Sequence, residues 1–236
     1  MDGLISSIKK TLFDSELPDL GVDLAEAGLD AICDNAFVRE IPIVKTMVAT
    51  FDLARDLRAR NLLIQTAEFL KGMNERTIPH DRIVQYRKHL DSNPRYAREE
   101  LGRVLLVLDS NYDLEKSLLL ARFYRGYVAD KISWEEFCDL SEVLRRILVS
   151  DIRMLYKINS REVRDTDQCP ASRADRLISL GLVGSGRKGL YPGGDGEHIT
   201  DRWLMPTEFG SQFCDLAKGA NYSEQCDAAE KGADNL

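Results

Sequence analysis

No apolar run in these 236 residues extends beyond a few positions, far short of the roughly 20 that a membrane-spanning helix needs. The five cysteines (Cys33, Cys138, Cys169, Cys214, Cys226) are scattered, odd in number and free of any CxxC spacing. That pattern fits reduced, buried thiols in a cytoplasmic protein better than a disulfide framework or a cysteine-held zinc site. Histidine is restricted to His80, His89 and His198. HExxH, GxSxG and GxxxxGK[ST] are all missing, so zinc-protease, serine-hydrolase and P-loop chemistry have no carrier. The start, MDGLISSIKKTLF, has an acid at position 2 and no small-residue cleavage site, unlike a secretory signal. These absences predict a protein that is not an enzyme. They leave no catalytic residue, cofactor, metal or small-molecule substrate to assign.

What the chain has in quantity is amphipathic helix. At 44% hydrophobic and 30% charged residues it is composed like an ordinary globular protein. Its net charge of −7 argues against general nucleic-acid affinity, although not against a local basic face. Leu4, Ile5, Ile8, Leu12 and Phe13 form a helical stripe suited to docking on a core. A second helix is expected after Pro18, capped by Asp19, with Leu20, Leu24, Ala27 and Ala31 inward and an acidic outer face. From Arg39 to Met73, Pro42 occupies a first-turn position and Val44, Met47, Val48, Phe51 and Ala54 line a buried helix. Charges then interrupt the apolar pattern, which predicts a hairpin or kink near Leu57–Asn61. Each half is about half a bilayer long, so core packing is expected here and a membrane-active hairpin over Ile43–Phe51 is the lesser reading. Gly72 reads as the helix terminator, and His80–Leu90 as a polar helix with Ile83, Tyr86 and Leu90 inward.

Leu101–Val149 carries the strongest periodicity. Its first stripe is Ala97, Leu101, Val104, Leu105 and Leu108. The second is Leu120, Phe123, Tyr124, Tyr127 and Val128, and the third is Trp134, Phe137, Leu140, Ser141, Leu144 and Leu148. Short connections between such stripes predict antiparallel neighbours in a bundle. Asp109, Asn111 and Asp113 imitate the opening of a calcium loop. Leu114 stands where that loop needs glycine, however, and Leu120 where it needs a bidentate glutamate. Ser133-x-x-Glu136 is better explained as a capping box.

Past Ser160 the apolar periodicity stops and glycines accumulate. Pro170–Leu180 reads as a helix with Ala174, Leu177 and Ile178 inward. A glycine-rich connection, a short strand over Arg202–Met205 and a closing helix capped by Thr207 follow. A helix ending in Leu180-Gly-Leu-Val183, a two-stranded wing, then Thr207-x-x-Gly210-x-x-Phe213 resembles the winged helix-turn-helix superfamily over about a third of the chain. The helix that usually precedes the recognition helix is short or missing between Ser160 and Gln168. The resemblance implies a recognition helix presenting Arg173 and Arg176 and a wing presenting Arg187 and Lys188, residues able to meet phosphates or a partner. From Ser160 onward nine Lys/Arg face thirteen Asp/Glu. That balance favours protein interaction, or a sister subunit, over DNA.

The layout is also similar to a group of poorly characterised bacterial and prophage helical proteins. The shared segments here are Ile41–Val44, Leu108–Ala121 and Asp130–Ser141. That similarity implies a bacterial cytoplasmic protein connected with mobile elements or phage defence, and carries no active site. The expected architecture is mainly α: a multi-helix bundle over 1–159, a small α+β winged-helix-like domain over 160–220 and a polar tail over 221–236. The expected function is non-enzymatic binding or regulation through a protein partner or homo-oligomer. DNA-binding regulation and membrane action are the alternatives.

Overall fold

The computed structural model describes residues 2–12, 39–53, 55–74, 78–187 and 202–218. The helix expected after Pro18, the glycine-rich stretch over 188–200 and the tail lie outside the described residues. Among those described, ten helices and one two-stranded antiparallel sheet make a mainly helical protein. The chain divides into two compact units, 1–145 and 146–236.

The first unit holds α1 (Asp2–Leu12), α2 (Pro42–Thr50), α3 (Leu57–Asn74), α4 (His80–Ser92), α5 (Pro94–Ser110), α6 (Leu114–Val128) and most of α7 (Trp134–Arg146). Pro42 lies in the first turn of α2, where its missing N–H leaves no bond unmade. Helix α2 stops at Thr50 and α3 starts at Leu57, so the interruption falls just ahead of the expected kink. There the Asp56 carboxylate accepts from the amides of Arg58 and Ala59, both at 3.0 Å, and caps α3. Asn93 caps α5 through the Tyr96 amide. Ser133 and Glu136 exchange bonds of 3.2 and 2.7 Å across the first turn of α7. These local devices set the helix starts, and burial of one face of each helix sets the packing.

The main contact of this unit is α3 against α6. Leu63, Phe69 and Leu70 from α3 and Leu119, Leu120, Phe123 and Tyr124 from α6 are all fully buried. Gly72 does not end α3, which continues to Asn74. A Cβ at this glycine would stand 2.7 Å from the Cβ of Ala121 and 2.9 Å from Leu118 Cδ1. Its hydrogen lets the two backbones approach, and its carbonyl accepts from Arg125 Nη1 at 2.8 Å. Ile43, Val44 and Met47 of α2 are also inside the unit. The residues of the calcium-like loop have structural partners. Asp109 receives the guanidinium fork of Arg58, and Asn111 donates to Ser117 at 3.3 Å. Asp113 directly precedes α6. Leu148 falls beyond the end of α7 and is exposed, so the third stripe stops at Leu144.

The second unit contains α8 (Val149–Asn159), α9 (Ala171–Ser179), β1 (Val183–Arg187), β2 (Arg202–Pro206) and α10 (Glu208–Ala217). The division at 145/146 precedes the boundary that the change of polarity indicates at 159/160. Its cause is α8, which packs on α9, β2 and α10 and buries Ile152, Leu155 and Ile158. Strands β1 and β2 pair antiparallel, with Val183 opposite Pro206 and Arg187 opposite Arg202. The other edge of β2 is taken by residues 164–166. Leu204 donates to the Arg164 carbonyl at 2.7 Å, Thr166 donates to the Arg202 carbonyl at 3.0 Å, and Asp165 bridges to Trp203.

Candidate functional site

In the second unit, sequence order builds one end of the domain from α9, the sheet and the start of α10. Ala174 and Leu177 bury one face of α9, and Ile178 is half-buried. Gly181, at φ +73°, reverses the chain in the left-handed region that glycine tolerates, after which the Leu182 amide bonds back to the Leu177 carbonyl. Thr207 then locks the turn to α10. Its hydroxyl donates to the Gly181 carbonyl at 2.7 Å and accepts from the Gly210 amide at 2.9 Å, while its own amide bonds Leu182. A Cβ on Gly210 would stand 1.9 Å from the Leu182 carbonyl oxygen, so only glycine allows this approach.

Two of the four basic residues marked by sequence converge on one carboxylate. Arg176 donates Nε and Nη2 to the two oxygens of Asp151, at 2.6 and 2.8 Å. The Nε of Arg173 lies 3.2 Å from Asp151 Oδ1. Asp151, in the first turn of α8, is 1% exposed. Its carboxylate holds the Arg176 guanidinium above the ordinary arginine range. On the outer side of α9, Asp175 accepts from Arg202 at 2.6 Å. Beside this cluster burial pushes the Cys169 thiol up, against the pull of Arg173. Arg187 ends β1, its backbone paired with Arg202. Lys188 lies outside the described residues.

The sheet has a buried and an open face. Val183 and Leu204 point inward and are 2% exposed. On the other face Met205 stands opposite Gly184, and Trp203 opposite Gly186. The Trp203 indole lies directly over Gly186, within 2.3–2.4 Å of where a Cβ would be. Trp203 and Met205 are 40% and 42% exposed. Neither Asp151 nor this apolar pair was marked by sequence. The signal available for the pair was the unbroken apolar run Trp203-Leu204-Met205, since a strand with one buried face must turn at least one of three successive residues to the other side. Asp151 had no signal, because its partners lie more than 20 residues away and sit on another helix.

The first unit contains a second polar cluster, centred on a buried carboxylate. Glu100 is fully buried and accepts from Tyr86 and Tyr127 hydroxyls, both at 2.5 Å. The hydroxyls of Tyr86 and Tyr124 meet at 2.6 Å, and His89 Nε2 is 3.6 Å from Glu100. Burial first, with the Glu100 carboxylate adding to it, raises all three tyrosines above their ordinary range, and at Tyr124 the hydrogen bond with Tyr86 offsets part of the rise. Such hydroxyls hold their protons, which suits a cross-brace between α4, α5 and α6 rather than proton transfer. A cavity of about 300 Å³ opens between α1, α3 and α5, with Leu4, Leu62 and Leu105 in its wall and the Arg58–Asp109 pair beside them.

Among the described residues no group of three or more His, Cys, Asp or Glu is placed to hold a metal, and no helix is long and apolar enough to cross a membrane. Compared with protein-family models, curated proteins and solved structures, the chain matches none.

Proposed function

We propose that the chain is a non-enzymatic binding protein of regulatory type whose C-terminal unit is a winged-helix-like module that engages a protein partner. The order of elements supports the module. A helix, a short extended segment, a second helix, two paired strands and a closing helix follow one another, and the 164–166 segment lies beside β2 rather than β1. One departure persists. Between Thr166 and Pro170 there is a turn where the superfamily has a helix.

The observation that carries the protein-binding reading is the open sheet face. Trp203 and Met205 stand out over two glycines with no larger side chain opposite them. Exposed tryptophan and methionine are side chains that protein interfaces concentrate, tryptophan because it buries much area for little lost rotamer freedom and methionine because its flexible thioether adapts to the opposing surface. A photo-crosslinking amino acid at Met205, in the full chain expressed from its own locus, is expected to trap a discrete protein adduct. The same group at Arg153, on the exposed side of α8, is expected to trap none. Equal labelling at the two positions, or adducts to nucleic acid alone, overturns the reading.

A further inference from the structure

We infer that Asp151 keeps nucleic acid off α9 by occupying the guanidinium donors that a phosphate would need. The inference rests on reading the C-terminal unit as a winged-helix-like protein binder, and assigns one residue the task of excluding the competing ligand class. Carboxylate and phosphate both bind an arginine fork through two parallel N–H···O bonds. The fork of Arg176 is already filled in that way by Asp151, at 2.6 and 2.8 Å. Arg173 turns its Nε to the same carboxylate at 3.2 Å.

The competitor is intramolecular and cannot diffuse away. It sits in the first turn of α8, on the helix's buried face, with 1% of its surface exposed, so releasing the arginines means leaving a carboxylate unpaired inside the protein. The outer surface of α9 adds a second deterrent. It shows Ser172, Asp175 and Ser179 around the part-exposed Arg176, and the carboxylate of Asp175 is held outward with Arg202. An approaching phosphate meets the Asp175 carboxylate at the surface and finds Arg176 and Arg173, which reach solvent beside it, already paired with Asp151.

Neutralising the buried acid reverses the balance. In Asp151→Asn two guanidinium groups lack a counter-charge, and an external phosphate becomes their natural anion. Titration of the full-length Asp151→Asn variant with a 20-base-pair duplex in 50 mM salt is expected to show binding at least tenfold tighter than wild type. The plot of log affinity against log salt should steepen by about 2, the slope of two phosphate contacts. Adding Arg173→Gln and Arg176→Gln to Asp151→Asn is expected to remove the gain. A folded Asp151→Asn protein with wild-type affinity and slope overturns the inference.

Wild-type protein supplies a second test that needs no substitution. Arginine modification by phenylglyoxal, read by peptide mass spectrometry, is expected to be equally slow at Arg173 and Arg176 with or without excess duplex. Protection of these two residues by the duplex overturns the inference even if Asp151→Asn fails to fold. Crosslinking at Met205 separates the two claims. A persisting protein adduct with no gain on neutralising Asp151 removes only the exclusion role; a gain without an adduct removes only the protein-binding reading.

Discussion

Glu100 sits in the first unit without solvent contact, held by two hydroxyl donors and a histidine edge. The tyrosines around it set a pH limit. Each native hydroxyl has its pKa raised above the unfolded value of about 10. The native state therefore keeps protons that the unfolded chain loses above that pH. The stabilisation is complete below pH ~10 and drains away as pH rises further. Absorbance at 295 nm should show at least three of the eight tyrosines un-ionised at pH 11 until the fold is lost, with the urea midpoint falling steeply above pH ~10. Ionisation of all eight in folded protein below pH 11 contradicts this. Gly72 makes an opposite kind of demand, for space rather than protons. Gly72→Ala puts a methyl 2.7 Å from Ala121 Cβ, and forcing α3 from α6 should cost about 1–3 kcal/mol in a urea titration. A neutral or stabilising alanine here means that the crossing is looser than described.

At the scale of elements, the devices confined to a few residues were readable from the chain alone. Pro42 in the first turn of α2, the Ser133–Glu136 box and the Thr207 cap each act on amides within three residues, so their partners are fixed by spacing. The three stripes of Leu101–Val149 likewise became α5, α6 and α7, because a period of 3.6 reports which face meets a core whatever that core is. Roles decided by a distant neighbour were not readable. Gly72 resembles a helix stop until Ala121 and Leu118 are set across from it. Arg173 and Arg176 resemble free cations until α8 brings Asp151 beneath them. Glu100 has no local mark of burial in the sequence, because the Tyr86 and Tyr127 hydroxyls that hold it come from other helices. The link from α9 to α10 joins both kinds. Thr207→Ala loses one cap and should cost about 1 kcal/mol. Gly210→Ala drives a methyl into the Leu182 carbonyl and should cost about 2–3 kcal/mol, within the range for overpacking. Thermal melts of the two variants should rank in that order, and the reverse order removes the close-approach explanation.

On the scale of the whole molecule, the division near Arg145 gives each unit its own set of buried residues. In the second, Ile152, Leu155, Ile158, Leu204 and Phe213 come from α8, β2 and α10, elements in mutual contact. A fragment spanning residues 146–218 should therefore melt cooperatively with native helix content by circular dichroism. The same fragment started at residue 160, which lacks α8, should not. A cooperative transition in the shorter piece means that α8 belongs with the bundle after all. The two tryptophans follow the same division. Trp134 is half-buried against Phe137 and Tyr127 in the first unit, whereas Trp203 lies open over Gly186 in the second. Each unit thus has its own intrinsic fluorophore, one in an aromatic nest and one facing water. Replacing either with phenylalanine leaves an emission spectrum that reports on a single unit, so binding at the sheet face and unfolding of the bundle can be followed separately in one unlabelled protein.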